Sequence, residues 1–111
     1  MPRIIITGAS DGIGAEMARQ LAQTHGSGLQ LTLAARNAGN LLAVAEQCRA
    51  LGAQVLTVPT DVSEEAQCRA LIDAAVQQFG GLDALINNAG VSAHALFEEV
   101  SCLLVKHDQH V

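Results

Sequence analysis

Gly8, Gly12 and Gly14 follow directly on Ile4-Ile5-Ile6-Thr7, and glycines so spaced behind a run of isoleucines can hold an anion. The three β-branched isoleucines read as a short strand buried on both faces. Beyond them Ile13, Met17 and Leu21 recur at intervals of four, the period of one helix face. A strand, a turn and a helix start bring unpaired backbone N–H groups and the positive end of the helix dipole to one point. Glycine there lets a pyrophosphate approach those N–H groups and lets the turn adopt φ > 0. Gly8, Ser10, Asp11, Gly12, Ile13 and Gly14 are therefore the expected cradle for a dinucleotide. The alternative is a glycine-rich turn that only lets strand and helix pack closely.

The elements that must position this cradle alternate along the chain. The first helix is expected from Gly12 to about Thr24, closed by the glycines of His25-Gly26-Ser27-Gly28. A second strand spans Leu29 to Ala35. Arg36-Asn37 then leads into a helix over 38–51, with Leu41, Leu42, Ala45, Cys48 and Leu51 as its apolar stripe and Gly52 as its end. Gln54 to Pro59 is a third strand, and Pro59 suits its last position because it donates no ladder hydrogen bond. Ser63 is the natural N-cap of a third helix whose Glu64-Glu65 suits the positive helix end. That helix buries Leu71, Ile72, Ala75, Val76 and Phe79 and stops at Gly80-Gly81. Leu82 to Ile86 is a fourth strand, leading into Asn87-Asn88-Ala89-Gly90. This βαβαβαβ order predicts an α/β fold, a parallel sheet with helices on both faces and right-handed crossovers.

With Asn87 to Gly90 on the page, the chain resembles the short-chain dehydrogenase/reductase family. Thr7-Gly8-x-x-x-Gly12-Ile13-Gly14 is similar to the family's cofactor motif, Asp61-Val62 to its adenine-contacting Asp-Val, and Asn87 to Gly90 to its Asn-Asn-Ala-Gly. The resemblance covers about residues 3 to 100. It implies a Rossmann-like, doubly wound sheet of strand order 3-2-1-4, incomplete relative to the family, with the cofactor at the switch beside strand 1. Residues 1–100 are then a partial dinucleotide-binding domain, and 101–111 an atypical tail.

Ligands of parallel sheets lie outside the carboxyl ends of the strands, where these loops converge. Asp61 can accept from an adenine amino group while Val62 lines the ring; its alternative task is to satisfy nearby backbone N–H groups in an Asx turn. Asn87 has sheet-holding work by the resemblance, whereas Asn88, Ala89 and Gly90 border the cofactor, Gly90 by leaving space. The end of strand 2 selects the cofactor. An acidic residue there, about 20 residues past the glycines, would pair with a ribose 2′-OH. This chain has Ala35-Arg36 instead, and arginine offers a planar fork to a phosphate. NADP is therefore expected ahead of NAD, the alternative being a solvated arginine. Asp11 opposes that preference, since phosphate-preferring members of the family often carry a basic residue at its position.

No catalytic residue is carried over. The family uses a serine, then Tyr-x-x-x-Lys, assisted by an asparagine, and this chain has no tyrosine. Ser92 and Ser101 fall too early to match the family serine, Lys106 has no tyrosine four residues before it, and the sequence ends ahead of the assisting asparagine. His107 and His110 could meet on a helix face, but without a third ligand they read as a polar tail, and no metal site is expected.

Composition bounds the alternatives. At 111 residues, half of them hydrophobic but only two aromatic, the chain suits one domain with a core of Ala, Leu, Val and Ile. A net charge of −5 with no basic run argues against nucleic acid and anionic membrane surfaces. No signal peptide precedes the first strand, no apolar run reaches the ~18 residues of a membrane span, and three scattered cysteines read as reduced thiols. A cytoplasmic location follows as the expectation. The function expected is the NADP-binding portion of a carbonyl/alcohol oxidoreductase, inactive as this chain alone. A non-catalytic nucleotide-binding protein stays open, as does an interaction module whose open sheet edge pairs with another copy or chain.

Overall fold

Among the described residues, four short parallel strands carry the fold. β1 (Arg3–Thr7), β2 (Gln30–Ala35), β3 (Gln54–Pro59) and β4 (Ala84–Asn87) alternate with α1 (Gly12–His25), α2 (Ala38–Ala50) and α3 (Glu65–Phe79), and a single 3₁₀ turn, Gly26–Gly28, follows α1. The computed structural model describes residues 2–88. The expectations for Ala89, Gly90, the two terminal histidines and the tail lie outside the described residues. Strand order is β3-β2-β1-β4, all parallel, with Ile5 facing Thr32 on one side and Leu85 on the other. The chain therefore winds outward from β1 to β3, then crosses back to place β4 on the far side of β1. That reversal makes the crevice at the carboxyl end of β1. Among the described residues no helix is long and apolar enough to cross a membrane.

Period-two alternation divides the strands between two core layers. Ile4, Ile6, Leu31 and Leu33 pack with the buried sides of α1 and α2. Ile5 and Ala34 pack with Cys68, Leu71, Ile72 and Ala75 under α3. Cys48 and Cys68 are both buried free thiols, and burial pushes each thiol pKa up.

Several local expectations change. The buried side of α1 is Gly14, Ala15, Ala18 and Ala22; Ile13 is 71% exposed, and Met17 and Leu21 are half-buried. The helix lies too close to the sheet for large side chains, since a Cβ on Gly14 would overlap the carbonyl oxygen of Gly8. Met17 and Leu21 instead flank a shallow groove of 250 Å³ beside Ile86. On α2 the stripe is Leu41, Val44, Ala45 and Cys48, with Leu42 and Leu51 exposed. Positions i, i+3, i+4 and i+7 share a helix face, and Leu42 lies off it.

Ser63 does not cap α3; Glu64 holds that position, without a side-chain cap bond, and the Ser63 hydroxyl donates to Asp61. β4 begins two residues later than expected. Ahead of it, Asp83 accepts from Arg3 N at 2.8 Å and from its Nε and Nη2, each at 3.1 Å, joining the amino ends of β1 and β4.

Candidate functional site at the carboxyl ends of the strands

Three loops converge beyond the strand ends, each tied to its neighbour by a backbone or side-chain bond. Ala9 N donates to Ala34 O at 3.1 Å, drawing the glycine turn against the exit of β2. Thr60 N donates to Ala35 O at 2.8 Å and its hydroxyl to Val58 O at 2.9 Å, which brings the exit of β3 alongside. On the other flank the buried Thr7 hydroxyl donates to Asn87 Oδ1 at 2.8 Å and accepts from Asn88 N at 3.0 Å. β1 and β4 are thus joined side chain to side chain at the crevice. Thr7 was legible only as a motif position; its role follows from being opposite Asn87 in the parallel register.

The glycines do different work in the turn. Gly8 (φ 63°) and Gly12 (φ 55°) take left-handed backbone. At Gly8 an added Cβ would meet the Asn88 carbonyl oxygen at 3.2 Å, whereas at Gly12 nothing lies within 4 Å. The first helical bond of α1 runs from Ala15 N to Asp11 O at 3.2 Å, so the amides of Gly12, Ile13 and Gly14 precede the ladder. Asp11 at the N-cap position is extended, and its side chain makes no cap bond. This is donor-rich backbone at a positive helix end, the chemistry an anion requires.

Between the loops lies an open cavity of 580 Å³. Gly8 and Ser10 line it from the first turn, Arg36 and Asn37 from the second, and Asp61, Val62 and Ser63 from the third. Asn37 caps α2 by accepting from Asn40 N at 2.9 Å, so the chain turns away directly after Arg36 and leaves that side chain exposed. Asp61 Oδ1 accepts from the Ser63 hydroxyl at 2.6 Å and from Ser63 N at 3.0 Å. Those bonds, the hydroxyl's foremost, with attraction to Arg36, hold its carboxyl below the usual range against the opposing cost of burial. The Asx-turn task and a place at the cavity therefore fall on the same residue.

Five of the expected site residues, Gly8, Ser10, Arg36, Asp61 and Val62, share this cavity. Asp11, Gly12, Ile13 and Gly14 lie outside its lining, in the turn and first turn of α1, and Asn88 borders Gly8. Asn37 and Ser63 are lining residues that motif reading passed over: the sequence marks Ser63 as a helix cap and Asn37 only as part of the lead into α2.

Over residues 2–106 the chain matches the short chain dehydrogenase family. The chain belongs to that family. An uncharacterized oxidoreductase of Methylorubrum extorquens is 46% identical over 97 residues, covering 87% of this chain and 38% of that protein. A short-chain type dehydrogenase/reductase from Mycobacterium marinum superposes with a TM-score of 0.82 at 27% identity, covering 90% of this chain and 48% of the other. Two further solved structures hold dinucleotides. A metagenomic short-chain oxidoreductase in complex with NADP is 34% identical (TM-score 0.71), with 80% of this chain and 39% of the other covered. An NADH-dependent reductase complexed with NAD is 32% identical (TM-score 0.69), with 81% and 36% covered. The chain spans less than half the length of each of these relatives. This is an oxidoreductase family built on an NAD(P)-binding fold.

Proposed function

We propose that this chain is the cofactor-binding portion of a short-chain dehydrogenase/reductase, that it takes NADP(H) in preference to NAD(H), and that by itself it transfers no hydride. One observation carries the cofactor reading. A guanidinium and a carboxylate from successive strand ends, Arg36 and Asp61, face one cavity beside a glycine turn rich in free amides. The cavity size suits a nucleotide moiety. In this reading the amides of the turn bind the pyrophosphate, and Arg36 pairs with the 2′-phosphate. Asp61 accepts from the adenine amino group across Val62, and Asn88, Ala89 and Gly90 border the rest of the cofactor. Solved relatives with NADP and with NAD support a dinucleotide of either kind; Arg36, in place of an acidic residue, supports the phosphorylated one.

When bound, the nicotinamide ring supplies hydride exchange with a carbonyl or alcohol carbon. That exchange also moves a proton on the substrate oxygen, and a positioned acid or base contributes about 10²–10⁴-fold. With no tyrosine in the chain, the phenol that does this in the family has no counterpart here.

Calorimetric titration of NADP⁺ and NAD⁺ against the chain tests the preference, with tighter NADP⁺ binding expected. Equal affinities would overturn it. NADPH oxidation assayed at ~340 nm against ketones, aldehydes and quinones tests the absence of turnover. Saturable activity that vanishes in Gly14→Val would show that another acid serves.

A further inference from the structure

Asp61 is held more firmly than a turn requires. An Asx turn needs one backbone donor, here Ser63 N at 3.0 Å. The Ser63 hydroxyl adds a second and shorter bond, 2.6 Å, to the same oxygen, Oδ1. From α3, Gln67 Oε1 accepts from Asp61 N at 2.6 Å and fixes the backbone beneath. Oδ2 receives no bond from the described residues. With both donors on Oδ1, rotation of the carboxylate would break two hydrogen bonds, so the direction of Oδ2 is set by Ser63. Ser63 also lines the cavity that Asp61 faces.

We propose that Ser63 is a positioning residue: it occupies Oδ1 of Asp61 so that Oδ2 accepts from the exocyclic amino group of the cofactor's adenine, and the site's selectivity for adenine depends on it. The inference rests on the dinucleotide reading above and deepens it, adding a residue that reads the base without touching it. A hydrogen bond to a charged acceptor contributes enough to separate matched from unmatched ligands by about tenfold or more. Orientation is what makes it selective. A carboxylate free to turn can retreat from a base that lacks the donor and settle into another arrangement.

The probes are NADP⁺ and its hypoxanthine counterpart, in which a carbonyl oxygen replaces the amino donor and meets the Asp61 carboxylate unfavourably. Dissociation constants for both are measured on the full chain, on Ser63→Ala and on Ser63→Thr. The ratio of the two constants is taken within each protein, so partial loss of folded material cancels. The parent should favour the adenine cofactor by about tenfold. Ser63→Ala should bring the ratio to within about twofold, chiefly by weakening the adenine form, and Ser63→Thr, which keeps a hydroxyl, should restore it. A Ser63→Ala ratio equal to the parent's would reduce Ser63 to a turn residue and overturn the inference. So would a parent that binds both dinucleotides equally, with the cofactor reading intact. A parent that binds neither would remove the cofactor reading and this inference together.

Discussion

The two rims of the sheet use similar residues to opposite ends. At the amino rim Arg3 meets Asp83 through three bonds between 2.8 and 3.1 Å, and Gln30 N and Gln54 N donate to Pro2 O and Leu29 O. Charge there is matched by charge, and the result is a fastening. At the carboxyl rim the arginine, Arg36, and the aspartate, Asp61, line an open cavity, and the amides at the start of α1 have no side-chain cap. The loops are tied to one another through Thr7, Ala9 and Thr60, whereas the charged side chains still face the cavity. The carboxyl rim thus differs in having loops hydrogen-bonded to one another beneath charged side chains that line a cavity. The presence of charge alone does not mark it.

Gly14→Ala should break the comparison most severely, because it damages scaffold and site together. Its Cβ would strike the Gly8 carbonyl, a backbone group that cannot swing aside as a flexible side chain could. Overpacking of this kind costs about 3 kcal/mol, read as a lower urea midpoint, and cofactor binding should be lost as well. Arg36→Asp should separate the two properties. Losing a charge-assisted bond weakens NADP⁺ by roughly 10–100-fold, while the unfolding midpoint stays within error of the parent, since Arg36 is exposed.

Gly12→Ala should be milder than Gly14→Ala. Its Cβ meets open space, so only the left-handed backbone at φ 55° is penalised. About 1 kcal/mol is expected from that cost. A loss equal to that of Gly14→Ala would show that the turn is constrained in ways its contacts do not reveal.

Asp83→Asn should have the smallest effect and leave both dinucleotides bound as before. The Arg3 guanidinium holds the Asp83 carboxyl below its ordinary range, hydrogen bonding foremost. A carboxylate lowered on folding stabilises at pH values above its unfolded pKa, and that contribution fades as pH falls through the folded value. Parent and Asp83→Asn should therefore differ slightly in melting temperature near neutrality and converge in acid, and added salt should narrow the gap. A change in cofactor affinity would mean that the two rims communicate.

What the sequence by itself determined was the order of elements, their type, and which loops carry chemistry. Ile4-Ile5-Ile6 cannot be other than buried, and glycines mark the ends of α1, α2 and α3 because backbone of positive φ excludes larger residues. Local rules suffice there. The tertiary structure decided which helix faces are buried. An alanine stripe and an Ile13-Met17-Leu21 stripe run side by side on α1, and helical periodicity ranks the larger side chains first. Only the close approach of Gly14 to Gly8, a contact between elements, turns the alanines inward. The tertiary structure also decided the double duty of Asp61 and the withdrawal of Ser63 from the cap of α3. Both residues suit a turn, a cap or a ligand, and the cavity at which they meet exists only once β2 and β3 lie side by side. Short polar side chains can satisfy many partners, so their assignment depends on which partners the packed chain brings within about 3 Å.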